Sequence, residues 1–343
     1  MRVLIVKTSS LGDILHTLPA ITDAGKAIPD IQFDWVVEEA FAEVPKWHPL
    51  VDRVIPIALR RWRKKPIRSF FGKEWRLFRQ ELRASDYDKV LDAQGLIKSA
   101  LVTRMSRGKR IGFNKKAARE PLACFAYQEY VDIDPTAHAV MRMRTFFAKA
   151  LGYELPKSAP DYGLKDKNFN LDEWHDGKYL LFLHGTTWES KRWPLQHWIQ
   201  LAKLAEQAGY KIRLPWGNER EKNRMMEVEK ACSAVSVLPQ MSLYELASVI
   251  RGAQAVVAVD SGLGHLCAAL NVPTISMYGP TDPKYIGTIG ENQYHAVPLY
   301  RCHGCRKEYC YDNKHKKIRE SSRCLIALTP EEIWKMLLQH HLV

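Results

Sequence analysis

The sequence has no apolar run long enough to cross a lipid bilayer, although 46% of its 343 residues are hydrophobic. Because a membrane-spanning helix needs roughly 18 to 20 consecutive apolar residues, this absence argues against an integral membrane protein. The apolar part of the amino terminus is also too short for a secretory signal peptide. These absences predict a globular protein of the cytoplasm, with enough residues for two domains of ordinary size.

Two glycine-rich nucleotide motifs are missing as well. Neither G-x-G-x-x-G nor G-x-x-x-x-G-K-[ST] follows a predicted strand. The first motif is typical of dinucleotide-binding dehydrogenases and the second of nucleotide hydrolases, so the sequence disfavours both classes. It also has no internal repeat and no low-complexity segment.

Acidic residues are fewer than basic ones: the chain has 38 Asp and Glu and 51 Lys and Arg, which gives a net charge of +13. Much of the excess lies in one stretch that has only Glu74 and Glu81 as acids. Its cations are Arg60, Arg61, Arg63, Lys64, Lys65, Arg68, Lys73, Arg76, Arg79 and Arg83. Such a concentration favours a polyanion or an anionic surface as the partner.

Aromatic residues are interleaved with these cations, which leaves three interpretations open. They are Trp62, Phe70, Phe71, Trp75 and Phe78. Stacking aromatics among cations suit single-stranded nucleic acid. The spacing of Phe71, Trp75, Phe78 and Leu82 also indicates an amphipathic helix with a basic face, which suits an anionic membrane surface. The third interpretation is a solvated basic helix whose aromatic side chains join the core.

Four of the seven cysteines fall in one basic segment near the carboxyl terminus: Cys302, Cys305, Cys310 and Cys324. A disulfide framework is not expected in the cytoplasm. The four thiols could hold a structural zinc ion, with His303 and His315 as substitute ligands, although the second pair lacks C-x-x-C spacing. The alternative is a set of unligated thiols in a long loop.

Short apolar strands alternate with helical segments along the whole chain, which predicts an α/β fold. We expect two Rossmann-like doubly wound domains that face each other across a cleft, with the ligand in the cleft. The expected boundaries are 1–158 for the first domain, 159–178 for a linker, 179–328 for the second domain and 329–343 for a final helix. The second domain would include the cysteine-rich loop 300–324.

The most informative segment is AVVAVDSGLGHLCAALNVPTISMYGPTDP, from Ala255 to Pro283. It predicts a buried strand, a polar turn with Asp260, Ser261 and Gly262, a helix carrying His265, a second strand and a second polar turn. Backbone N–H groups at the start of that helix would face an anion. Because both turns follow parallel strands, they should meet at one edge of a sheet and form a diphosphate site.

Two further turns offer chemistry. Asp13 follows the first strand, where it can act as a base or merely cap the helix that begins there; His16 lies three residues further on. After the strand that ends at His184, Thr186 and Thr187 supply hydroxyl groups and Lys191 supplies a cation. These groups suit the oxygens of a leaving diphosphate.

Several of these segments together resemble the bacterial lipopolysaccharide heptosyltransferase family, and heptosyltransferase I most closely within it. The segments are VLIVKTSSLGDILHTLPA, FDWVVEE, RVIPIALRRWRKK, LDAQGLIKSA, AAREP, KRWP from Lys191 to Pro194, LPWG, VDSGLGHLCAAL and YGPTDP. The resemblance covers most of the first 290 residues. It implies the GT-B fold, ADP-heptose as the donor, a Kdo sugar of lipid A as the acceptor, and inverting chemistry that requires no cofactor. It further implies a peripheral location on the cytoplasmic face of the inner membrane, and no nucleic-acid partner.

The resemblance also implies roles for individual residues. Asp13 would be the general base, and Lys191 would act on the leaving diphosphate. The donor site would comprise Thr186, Thr187, Lys191, Glu221, Met241, Asp260, Ser261, Gly262 and His265. The acceptor's carboxylates and phosphates would meet Arg60, Arg61, Arg63, Lys64 and Arg119.

The cysteine-rich segment departs from what the resemblance leads us to expect, and leaves the acceptor open between a Kdo disaccharide, a single phosphorylated Kdo and a heptose. Two more remote alternatives are a nucleotide-sugar epimerase of the same fold and a zinc-bearing nucleic-acid-binding protein.

Overall fold

The computed structural model describes residues 1–64, 72–164, 167–169, 178–299, 304–310 and 321–343. The chain divides into two compact units, residues 1–166 and residues 167–343. Each unit is an α/β layer structure built on a parallel sheet of six strands. In the described part of the chain, no helix combines the length and the apolar character needed to cross a membrane.

The sheet of unit 1 has the strand order β3-β2-β1-β4-β5-β6. Its strands are β1 (Arg2–Val6), β2 (Gln32–Glu38), β3 (Val51–Ile57), β4 (Tyr87–Asp92), β5 (Gly108–Phe113) and β6 (Glu129–Val131). Strand β1 lies in the middle, and Ile5 pairs with Trp35 on one side and with Leu91 on the other. Residues Val3 to Val6 are fully buried, as expected of a strand covered on both faces.

Helices connect these strands. They are α1 (Leu11–Leu15), α2 (Leu18–Ala27), α3 (Leu59–Trp62), α4 (Lys73–Leu82), α5 (Ile97–Met105) and α6 (Ala139–Leu151). Short 3₁₀ helices lie at Glu39–Phe41, Pro45–Trp47 and Pro121–Ala126. Helix α6 is followed by Gly152, whose left-handed conformation (φ 86°) terminates the helix.

The sheet of unit 2 has the order β12-β11-β10-β7-β8-β9. Its strands are β7 (Tyr179–Leu183), β8 (Lys211–Leu214), β9 (Val235–Val237), β10 (Ala255–Val259), β11 (Thr274–Met277) and β12 (Gln293–Ala296). Read from its other edge, this sheet has the same order as the sheet of unit 1, 3-2-1-4-5-6, which is the order of doubly wound nucleotide-binding sheets. Strand β7 therefore corresponds to β1, and β10 corresponds to β4.

The helices of unit 2 are α7 (Leu195–Gln207), α8 (Glu219–Ala231), α9 (Leu243–Gly252), α10 (Gly262–Ala269), α11 (Pro283–Ile286), α12 (Arg323–Ile326) and α13 (Pro330–Gln339). A 3₁₀ helix spans Glu189–Lys191. Helix α13 begins with a capping box at Thr329, where Glu332 N–H donates to the Thr329 hydroxyl. The core of this unit includes Trp193 and Trp198, which pack edge-to-face at 4.9 Å between ring centroids.

The alternating pattern predicted most of these strands but not β5, β6 and β12. Strand β6 has three residues, and β5 begins with a glycine and two cations, so neither shows a clear apolar period. Strand β12 contains Gln293, Tyr294 and His295, a polar composition typical of a strand at a sheet edge.

Candidate functional site

The turn after β1 holds Asp13 through its local backbone. Ser10 is the N-cap of α1, and Asp13 is the third residue of that helix. One carboxylate oxygen, Oδ2, accepts hydrogen bonds from the Ser10 N–H at 3.0 Å and from the Ser10 hydroxyl at 3.2 Å. The sequence considered Asp13 as the cap of this helix, but the N-cap is Ser10, and Asp13 is its partner at the third helical position. Only one of the two carboxylate oxygens of Asp13 is used for this contact.

The other oxygen of Asp13 faces cations. Arg119 Nη2 lies 2.7 Å from Oδ1, and the Lys7 ammonium lies 3.9 Å from it. The Asp13 side chain is 16% exposed. Burial by itself would raise the pKa of Asp13, but the charges of Lys7, Arg119 and His16 hold that pKa well below the usual range of a carboxyl group. The carboxylate is therefore ionised at neutral pH.

Lys7 is a residue of the candidate site that the sequence did not point out. It is buried, and its ammonium group donates to the carbonyl oxygen of Ala93 at 2.7 Å. Burial lowers the pKa of Lys7 to about 8, against the opposing effect of Asp13. The buried ammonium thus supplies a fixed positive charge beside the oxygen of Asp13 that the cap does not use.

A second set of buried polar groups fixes the backbone between β1 and Asp13. The Gln94 side chain accepts from Thr8 N–H at 2.7 Å and donates to the Ser9 carbonyl at 3.0 Å. Asp92, at the end of β4, accepts from the Gln94 N–H at 2.9 Å and from the Gly95 N–H at 3.0 Å. Sequence reasoning missed this support, although the polar residues Asp92 and Gln94 directly after a predicted strand were a usable signal.

His16, which the sequence places three residues after Asp13, lies close to this arrangement. It is buried at the end of α1, and its ring lies edge-on to that of His138 at 6.4 Å. Its positive form is one of the charges that lower the pKa of Asp13.

In unit 2 the turn after β7 brings Lys191 to the neighbouring strand. The Lys191 ammonium lies 2.7 Å from Asp260 Oδ2, and both side chains are largely buried. It also lies over the ring of Trp188, at 4.6 Å from the centroid. The Thr281 hydroxyl donates to the same oxygen of Asp260 at 2.5 Å. The turns after β7, β10 and β11 therefore meet, as the sequence predicts for the second and third of them.

The start of α10 offers donors beside this ion pair. Ser261 is the N-cap, Gly262 is the first helical residue, and His265 is buried in the first turn. The Ser261 hydroxyl oxygen is buried and makes no hydrogen bond to the described part of the chain. A helix start with free N–H groups and an available hydroxyl next to a lysine has the chemistry of an anion site.

The remaining residues expected at the donor site lie on the same edge of the sheet. Thr186 and Thr187 belong to the turn after β7. Glu221 Oε2 accepts from Gly217 N–H at 2.9 Å, and its carboxylate also approaches Gly185 so closely that a Cβ there would lie 3.0 Å from it. Met241 lies between β9 and α9, so it too follows the carboxyl end of a strand.

The basic residues after β3 are partly neutralised. Arg61 is paired with Glu39 at 3.1 Å and with Glu74 at 2.8 Å. The Arg60 guanidinium lies over the Phe41 ring at 5.0 Å. The structure thus separates the expected acceptor set, Arg60, Arg61, Arg63, Lys64 and Arg119, into residues on or beside α3 and one residue, Arg119, paired with Asp13.

Comparison with known proteins identifies the family. The family model described as glycosyltransferase family 9 (heptosyltransferase) matches residues 75–316. This chain belongs to glycosyltransferase family 9. The resemblance found in the sequence is thereby confirmed, and sugar transfer is favoured over the more remote alternatives.

Individual relatives of this family 9 enzyme match nearly its whole length. It is 48% identical over 341 residues to lipopolysaccharide heptosyltransferase 1 of Pseudomonas aeruginosa PAO1, a match that covers 97% of this chain and 96% of the relative. It is 51% identical over 294 residues to lipopolysaccharide heptosyltransferase 1 of Escherichia coli K12, covering 85% of this chain and 92% of that protein.

Solved structures agree with this assignment. The structure of E. coli heptosyltransferase WaaC with ADP has a TM-score of 0.86 and 44% identity, and the match covers 99% of this chain and 100% of that one. WaaC with ADP-2-deoxy-2-fluoro heptose has a TM-score of 0.83 at the same identity, with 99% of each chain covered. The two doubly wound sheets of this family 9 enzyme are those of the GT-B fold, as expected.

The cysteine-rich segment of this family 9 chain is only partly described. Cys302, His303 and His315 lie outside the described residues. Of the remaining thiols, Cys305 is exposed, Cys310 is half-buried and Cys324 is buried, with its sulfur 3.0 Å from the Ser322 hydroxyl. Among the residues that the structure describes, no group of three or more His, Cys, Asp or Glu could hold a metal ion.

Segment 304–310 lies against the donor-side turns. The N–H of Gly304 donates to the Gly279 carbonyl at 3.1 Å, and the N–H of Ser190, the residue before Lys191, donates to the Glu308 carbonyl at 3.0 Å. The Ser190 hydroxyl donates to the Lys307 carbonyl at 2.6 Å. This part of the cysteine-rich segment therefore packs directly against the turn that carries Lys191.

Proposed function

We propose that this enzyme transfers L-glycero-D-manno-heptose from ADP-heptose to a Kdo sugar of lipid A, in the assembly of the lipopolysaccharide inner core. One observation carries the proposal. A family 9 fold presents an ionised, partly exposed carboxylate after the first strand of unit 1, and a lysine beside a helix start after the first strand of unit 2. The relatives named heptosyltransferase 1 and the WaaC complex with an ADP-heptose analogue support donor and reaction.

In the proposed reaction, Asp13 accepts the proton of the Kdo hydroxyl group as that oxygen bonds to the anomeric carbon of heptose. The bond from the anomeric carbon to the β-phosphate oxygen breaks at the same time, and the configuration inverts. ADP leaves with the electron pair of that bond. Negative charge thus develops on the phosphate, where an ammonium group and helix N–H groups stabilise it.

In this proposal, different residues of unit 2 bind different parts of ADP-heptose. Lys191, Thr186, Thr187, Ser261, Gly262 and His265 bind the diphosphate, Asp260 lies near the heptose, and Glu221 and Met241 lie near the nucleoside. Unit 2 would thus be the donor unit. No metal ion is required, because the lysine and the helix start supply the positive potential.

Acceptor binding would make Asp13 available. Arg119 now occupies the Oδ1 oxygen of Asp13, and the acceptor brings carboxylates and phosphates that compete for the guanidinium. When Arg119 turns to such a group, Oδ1 becomes free to take a proton. The Lys7 ammonium stays near the Asp13 carboxylate, 3.9 Å from Oδ1. Arg60, Arg61, Arg63 and Lys64 complete the acceptor set, and unit 1 would be the acceptor unit. We place the enzyme on the cytoplasmic face of the inner membrane as a peripheral protein.

The experiment that tests the proposal measures transfer from ADP-heptose to three lipid A acceptors, with one Kdo, one phosphorylated Kdo or two Kdo residues. The reactions contain a chelator, and the product mass is recorded. We expect one heptose to be added to at least one acceptor, and the preferred acceptor defines the specificity. Absence of transfer to all three, with ADP-heptose bound, would contradict the proposed acceptor. Transfer that stops in chelator would contradict the metal-independent mechanism.

A further inference from the structure

Unit 1 displays an unusual concentration of exposed apolar side chains, which we call the apolar patch. It consists of Ile97, Leu101, Leu122, Phe125 and Tyr130. Leu122 is 73% exposed, Phe125 52% and Leu101 51%. Single exposed apolar residues are ordinary on a protein surface, whereas a group of large ones on adjoining elements indicates an interaction site.

The geometry of the two helical elements places these side chains on one surface. Ile97 and Leu101 are four residues apart on α5, hence on one face of that helix. Leu122 and Phe125 are three residues apart in the 3₁₀ helix 121–126, where such positions eclipse each other. Helix α5 packs against this 3₁₀ helix.

Buried residues and hydrogen bonds hold the two helical elements of the apolar patch in place. Ala123, Cys124 and Ala126 of the 3₁₀ helix are buried, and the Arg110 guanidinium donates to the Ala126 carbonyl at 2.9 Å. At the start of α5, the N–H of Ile97 donates to the Glu120 carboxylate at 2.6 Å. The apolar side chains therefore stand on fixed helices and not on a loose loop.

The chain segment that carries α5 and leads to the 3₁₀ helix is strongly basic. Residues 93–119 include no acid and carry eight cations. These are Lys98, Arg104, Arg107, Lys109, Arg110, Lys115, Lys116 and Arg119. Of the acids that follow as far as β6, Glu120 is used at the start of α5 and Glu129 is paired with Lys109 at 2.5 Å. Arg107 is paired with Asp86 at 3.8 Å and Arg119 with Asp13 at 2.7 Å, and Asp132 and Asp134 follow β6. Apolar side chains within a cationic rim match the interface of an anionic bilayer.

Along the chain, the patch lies next to a residue of the proposed site. Arg119, which reaches Asp13, is separated from Leu122 by two residues. The amphipathic helix considered from the sequence is a poorer membrane anchor, because its aromatic residues turn inward. In α4, Phe78 is buried, and the Trp75 ring packs against Trp62 at 5.6 Å, while Phe71 lies outside the described residues.

We propose that the apolar patch docks this enzyme on an anionic phospholipid bilayer, with Leu122 and Phe125 inserted among the head groups and the basic rim on the lipid phosphates. The inference rests on the proposed function, since an acceptor anchored in a bilayer by lipid A requires the enzyme to work at that surface. Docking through the patch would bring the Arg119 side of unit 1 to the level of the acceptor sugars.

The direct test is vesicle co-sedimentation without substrates, using phosphatidylethanolamine vesicles with and without phosphatidylglycerol. The variant is Leu122→Ser with Phe125→Ser, and the matched control is Leu338→Ser, which alters a side chain of α13 that is 51% exposed. We expect the double variant to lose about tenfold or more in partitioning into the anionic vesicles. The control should bind as the wild type does, and wild-type binding should weaken without phosphatidylglycerol or in high salt.

Three results would overturn the docking surface. One is equal partitioning of the double variant and the wild type, and another is no partitioning of the wild type into anionic vesicles. The third is a wild-type dimer that the double variant converts to monomer, because the patch would then be an interface between copies of this chain.

An activity arm separates failure of docking from failure of the proposed function. We expect the double variant to transfer heptose to a deacylated, water-soluble Kdo acceptor at the wild-type rate, and to lipid A acceptors in vesicles more slowly. Equal losses on both acceptors would contradict docking. If the wild type transferred to neither acceptor, the proposed function would be wrong, whereas the co-sedimentation result would still decide the docking surface.

Discussion

The turns that follow β1 and β7 occupy corresponding places in the two units, and they hold opposite charges in different ways. In unit 1 the turn carries an acid, Asp13, with Lys7 and Arg119 beside one of its oxygens. In unit 2 the turn carries a cation, Lys191, with a single acid partner, Asp260. Both side chains are thus held in place by charged partners before any ligand binds.

The difference lies in where the partners come from. In each sheet, the first and fourth strands along the chain are neighbours: β1 with β4 in unit 1, and β7 with β10 in unit 2. The turns that follow these two strands are therefore neighbours as well. In unit 2 the fourth-strand acid, Asp260, pairs with Lys191 directly. In unit 1 the corresponding acid, Asp92, is used to hold Gln94 and the backbone, and the partner of Asp13 comes from beyond β5. The same topology therefore holds Lys191 through an acid of the neighbouring strand and holds Asp13 through contacts from Ser10, Lys7 and Arg119.

The largest effect in this comparison should follow from removing the base. Asp13→Asn keeps an oxygen that can accept the cap hydrogen bond but cannot take a proton at neutral pH. We expect kcat to fall by about 10³-fold, while ADP-heptose affinity, measured by calorimetry, stays nearly intact. Ser10→Ala, which removes only a cap donor, is the control. An equal loss in Ser10→Ala would reduce Asp13 to a helix cap.

A smaller effect should follow from Lys191→Met, which removes the cation of the other turn. The developing charge on the leaving diphosphate would lose one of several stabilising groups, so we expect kcat to fall by about 10²-fold and the KM for ADP-heptose to rise. The matched control is Lys222→Met, because Lys222 also lies over a tryptophan ring, that of Trp216 at 4.9 Å. Similar losses in the two variants would mean that the lysine–tryptophan contact, and not the phosphate, matters.

Arg119→Gln tests the exchange of Arg119 between Asp13 and the acceptor. We expect the KM for the Kdo acceptor to rise about tenfold, since an arginine contact to a carboxylate or phosphate is lost, with donor affinity unchanged. Steady-state kinetics with each substrate varied gives both numbers. Lys116→Gln changes an exposed cation of the same segment and should have little effect. A change confined to the donor KM would argue against the acceptor role.

The smallest effect concerns pH. Lys7→Met removes the buried charge beside Asp13, so the pKa of Asp13 should rise toward its ordinary value. A base works only when ionised, and activity is lost as pH falls through its pKa. The acidic limb of the kcat profile should therefore move to higher pH, by about one unit. Lys89→Met is the control, because the Lys89 ammonium also donates to a carbonyl, that of Ala150 at 2.6 Å. An unmoved acidic limb would show that Lys7 does not act on Asp13.

Local patterns were sufficient to locate much of the candidate site. Thr186, Asp260 and Ser261 each follow a short apolar run, and the structure places them after the carboxyl ends of parallel strands. Asp13 lies in the first turn of α1, the helix that follows β1. Lys7 and Gln94 were missed for a physical reason. A lysine at the end of a strand is normally predicted to be exposed to solvent. Only the packing of β4 beside β1 shows that the Lys7 ammonium is buried, where it donates to the Ala93 carbonyl oxygen.

The amphipathic helix and the cysteine segment mark the limit of such reasoning. The aromatic spacing correctly predicted a helix, α4. It did not predict that the ring of Trp75 would pack against the ring of Trp62, which belongs to α3. The zinc site remains a prediction, since Cys302 and the stretch with His315 are outside the described residues. The domain boundaries and the roles of the two units are likewise proposals.

The sequence by itself determined the two doubly wound sheets, the turns at their carboxyl ends and the family, because apolar period, turn residues and ordered motifs are local properties of the chain. Only the tertiary structure decided that Arg119 meets Asp13 across 106 positions, that Lys191 meets Asp260, and that exposed apolar residues of α5 and the 3₁₀ helix share a surface. Ion pairs and patches depend on distances in space, and strand order sets those distances independently of spacing along the chain.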